Sequence, residues 1–94
     1  MTEKTPEDAQ AFFDVANRFV GLANELAAEH GHPRVAAAIL WAASRYGAFA
    51  WAMSGAPGKQ STQDALDLFE AQYRKMMEDN LASMLAQAKS PAKE

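Results

Sequence analysis

The stretch from Arg34 to Met53 constrains this chain more than any other part of it. Only Arg34, Ser44, Arg45, Tyr46 and Gly47 interrupt its apolar surface. A helix that is apolar nearly all round is either covered on most sides by other protein or sits in a membrane. Arg45 argues against the membrane. It falls near the middle of the run, beside Ser44 and Tyr46, where an arginine costs about 2.5–3.5 kcal/mol on insertion scales. The expected state is therefore a covered helix, over about residues 34–53, in a protein that does not cross a membrane.

The flanking sequence supplies two more helices. Thr5-Pro6-Glu7-Asp8 reads as a helix start. Threonine is a good N-cap, proline suits the first turn, and acidic residues favour the positive end of the helix dipole. Apolar residues then recur at Phe12, Ala16, Phe19, Ala23 and Leu26, with Phe13, Val20 and Ala27 widening the stripe. That spacing places them on one face of a helix over about 6–30. Gly31 signals its end, with Pro33 beyond. Ser54 to Gly58 reads as a loop by composition. A third helix is expected over about 62–89, started near Ser61 or Thr62 with Asp64 completing a capping box. Its apolar face is Leu66, Phe69, Tyr73, Met76, Met77, Leu81, Met84 and Ala88. Glu70/Arg74, Arg74/Glu78 and Lys75/Asp79 stand four apart on its outer side, each pair contributing about 0.2–0.5 kcal/mol. Ser90-Pro91 ends it, and residues 1–4 and 90–94 are expected to be flexible.

Ninety-four residues suffice for one domain. The expected fold is all-α, a single three-helix up-down-up bundle over residues 1–94. Its proportions are awkward for a monomer. A 27-residue helix is about 40 Å long, whereas a compact chain of this size has a radius of gyration near 13 Å. At 100° per residue, Ile39, Ala43, Tyr46 and Ala50 share one side of the middle helix. Ala37, Trp41, Ala48 and Ala52 share another, flanked by Arg34 and Arg45. Two neighbours do not easily cover both sides. The small residues allow close approach of a second chain, with Trp41 as its anchor. The bundle is therefore expected to be completed by homodimerisation, with Trp41, Ala37, Ala48 and Ala52 at the interface.

Composition narrows the chemistry. There is no cysteine, which removes disulfides, zinc thiolate sites and thiol nucleophiles and fits a reducing compartment. The net charge is −3. Its basic residues are scattered, with only Arg74 and Lys75 adjacent, so the basic stripe that nucleic-acid binding requires is missing. The polar, acidic N-terminus does not read as a signal peptide. Neither a nucleic-acid nor a membrane partner is expected, and the expected location is cytoplasmic.

Few residues offer a site. Glu29-His30-Gly31-His32 is the one cluster resembling metal ligands, but a His-x-His across a helix end has no defined metal geometry without further ligands. It reads instead as a helix C-terminus, with His30 at the negative end of the dipole. The serines have no histidine beside them to act as base. No phosphate-binding loop follows a strand, because no strand is expected. Neither catalytic residues, nor a metal, nor a cofactor is expected. Polar groups inside apolar helices need partners. Arg45 interrupts the middle helix, Asn80 the third, and Asn17 and Asn24 lie seven apart at the margin of the first. One reading pairs Arg45 with Glu70, within the chain or across a dimer, as a device that fixes registry. The other makes Arg45, Tyr46, Asn17 and Asn24 an anion or small-molecule site.

Three separated segments also resemble a known family. They are Ala16-Asn17, Phe19 and Leu22-Ala23-Asn24; then Ala42-Ala43-Ser44-Arg45-Tyr46 with Phe49; then Phe69, Gln72-Tyr73-Arg74-Lys75-Met76 and Asn80-Leu81. Together, over about Phe12 to Leu85, they are similar to a bacterial family of short proteins called domain of unknown function 3144. The resemblance implies a small helical protein and no assigned activity, so it transfers no catalytic residue. The expected function is a non-enzymatic protein-interaction or regulatory module, dimeric, with an unidentified protein partner. The alternative is a small-molecule or anion binder around Arg45.

Overall fold

The computed structural model describes residues 5–89. Three α-helices account for most of them: α1 (Pro6–His30), α2 (His32–Met53) and α3 (Thr62–Lys89). A short 3₁₀ turn, Ala56–Gly58, lies between the second and third, and there is no strand among the described residues. The expectations of flexible ends at 1–4 and 90–94, and of a stop at Ser90-Pro91, fall outside the described residues. The chain divides into two compact units, Met1–Ala48 and Phe49–Glu94.

The first unit is built on α1 and most of α2. The Thr5 hydroxyl accepts from the Asp8 amide at 3.0 Å, and the Asp8 carboxylate accepts from the Thr5 amide at 3.3 Å. This reciprocal cap satisfies two amides that the helix cannot. Gly31 alone separates α1 from α2. Its amide donates to the Ala27 carbonyl at 2.8 Å, and its carbonyl accepts from the Val35 amide at 3.2 Å. One residue thus ends one helix and starts the next. Its backbone, φ 88° and ψ 148°, lies in a region that is essentially glycine's own. α2 starts at His32, two residues before the expected Arg34, and takes Pro33 into its first turn, where the missing amide costs nothing.

The second unit runs from the end of α2 through the turn into α3. The Ser54 hydroxyl donates to the Trp51 carbonyl at 2.8 Å and accepts from the Ala56 amide at 3.1 Å. Gly55, at φ 87°, turns the chain in the left-handed region. The Trp51 indole donates to the Gln60 side chain at 2.8 Å across the turn. Ser61 then caps α3, accepting from the Asp64 amide at 3.0 Å while Asp64 accepts from the Ser61 amide at 3.3 Å. Along α3, Arg74 pairs with Glu78 at 3.6 Å and Lys75 with Asp79 at 3.3 Å.

Among the described residues only Ala65, 7 % exposed, is buried. In α1 the half-buried residues are Ala9, Ala16, Ala23 and Ala27, while the larger apolar side chains beside them stay exposed.

Two glycine substitutions test the backbone account. At Gly31 an added Cβ would meet nothing closer than Pro33 Cδ at 4.0 Å, so the penalty of Gly31→Ala is conformational, about 1–3 kcal/mol. Gly21 lies inside α1 with nothing within 4 Å of an added Cβ, so Gly21→Ala should stabilise by about 0.4–1 kcal/mol. Urea unfolding followed by circular dichroism should move in opposite directions for the two variants.

Candidate interaction site

The short link at Gly31 lays α1 and α2 side by side, and a groove of about 490 Å³ runs between them. From α1 it is lined by Phe19, Leu22, Ala23, Leu26 and His30, and from α2 by Arg34, Val35, Ala38, Ile39 and Ala42. These residues pair off around Gly31 as in an antiparallel helix hairpin. His30 and Arg34 lie at the turn end, and Phe19 and Ala42 furthest from it. The lining is apolar except for the two basic residues at the turn. His30 also approaches the Glu29 carboxylate at 3.9 Å.

The groove is the middle of a longer apolar flank. On α1, Phe12, Val15, Phe19, Leu22 and Leu26 recur at alternating three- and four-residue spacing and are all exposed. That is the seam pattern of helices that pack against another helix. On α2, Arg34, Ala38, Trp41, Arg45, Ala48 and Ala52 follow the same alternation. This edge contains three of the four residues expected at a dimer interface, and the fourth, Ala37, adjoins it. All four are exposed, and Trp41 reaches 65 %. No residue of α2 is buried.

The four residues of the alternative site all belong to the first unit, and all four are exposed. None lines the groove. Asn17 and Asn24 fall on the opposite flank of α1 from Leu22 by helical spacing. Arg45 takes part in no hydrogen bond or ion pair with the described residues of its own unit. Among the described residues no three histidine, aspartate or glutamate side chains gather closely enough to hold a metal. No helix among them is long and apolar enough to cross a membrane.

The second unit adds an apolar stripe of its own along α3. Leu66, Phe69, Tyr73, Met77, Leu81 and Met84 share one face and all are exposed, from 62 % at Leu66 to 36 % at Met77. The sequence pattern locates this stripe but does not reveal how exposed each of its residues is. Nor does it reveal the Trp51–Gln60 bond, since the two residues meet only through the geometry of the turn. A dent beside that turn is lined by Ser54, Gly55, Ala56, Lys59 and Gln60. It has no partner group that would make it a site.

The architecture defines a small all-helical protein whose distinctive surfaces are apolar helix flanks rather than a polar pocket. The family model described as "Protein of unknown function (DUF3144)" matches residues 12–85, and the chain belongs to that family. No curated protein and no solved structure matches it.

The Trp51–Gln60 bond makes a local prediction. Gln60→Ala leaves a half-buried indole N–H without its acceptor. It should destabilise the protein by about 0.5–1.5 kcal/mol and change the tryptophan emission, whereas Lys59→Ala should do neither.

Proposed function

We propose that this protein is a non-enzymatic helical interaction module that works as a homodimer in the cytoplasm and engages a further protein partner. The observation that carries this reading is the exposed face of α2 around Trp41. Soluble monomers rarely expose apolar patches beyond a few hundred Å². Here a tryptophan flanked by Ala37 and Ala48, small residues that let another helix come close, stands at 65 % exposure. A rigid aromatic among small residues is the usual centre of an interface. On this reading Arg45 pairs with a carboxylate across the dimer, Glu70 being the candidate, and fixes the register of the two copies.

A second reading rests on Arg45 itself. It is exposed in mid-helix with no hydrogen bond or ion pair in its own unit, so it is available to an anion, with Tyr46, Asn17 and Asn24 as the polar residues nearest in sequence pattern. A thermal shift produced by phosphate or a carboxylate and lost in Arg45→Met would favour it.

The main reading is tested by multi-angle light scattering at micromolar concentration. The expected mass is twice the chain mass of 10.2 kDa, falling towards 10.2 kDa in Trp41→Glu. A mass of 10.2 kDa for the unaltered protein contradicts it.

A further inference from the structure

We draw no further inference here: the strongest candidate, the apolar groove between α1 and α2 with His30 and Arg34 at its turn end, is an unpartnered helix face, and nothing in the structure shows what covers it.

Discussion

Everything in this structure turns on apolar surface that the chain generates faster than it covers. Each helix is stabilised locally by reciprocal caps at Thr5/Asp8 and Ser61/Asp64 and by four-residue ion pairs on α3. Such devices are worth tenths to about 1 kcal/mol each. They define where helices begin without supplying the burial that holds helices together, which in proteins comes from packing of the apolar face. Ala65 alone is buried among the described residues, and the homodimer proposed above would supply further burial by association.

The α1–α2 hairpin shows how the sequence builds such a surface. Gly31 permits a one-residue link, which brings the helices side by side. The alanines at 9, 16, 23 and 27 are half-buried, and small residues at such positions let helices approach closely. The larger residues of α1 are thereby left on the flank, at Phe12, Val15, Phe19, Leu22 and Leu26. An alanine seam with a phenylalanine and leucine flank has two packing faces on one helix. Only one of them is used within the hairpin.

Much of this was legible in the sequence for a physical reason. Helix starts depend on residues within one turn of each other, so Thr5-Pro6-Glu7-Asp8 and Ser61 to Asp64 announce them directly. Gly31 announced an end for the same reason. The start of α2 was displaced by two residues because Pro33, a breaker in most contexts, is tolerated in a first turn. The surplus of apolar surface on α2 was legible as periodicity. What was not legible is how the helices meet. The groove, its basic end at His30 and Arg34, and the Trp51–Gln60 bond each depend on residues brought together by turns whose geometry no local pattern encodes. The polar set Arg45, Tyr46, Asn17 and Asn24 stands out in the sequence by residue type rather than by spacing. None of the four lines the groove, because three- and four-residue spacing puts Asn17 and Asn24 on the other flank of α1.

In the proposed homodimer, stability depends on association. The most direct measurement is urea unfolding, followed by circular dichroism, at protein concentrations spanning two decades. For a dimer whose folding and assembly are coupled, each tenfold rise in concentration adds about 1.4 kcal/mol to apparent stability, so the midpoint should climb steadily with concentration. A cooperative transition whose midpoint is the same at every concentration would contradict the account.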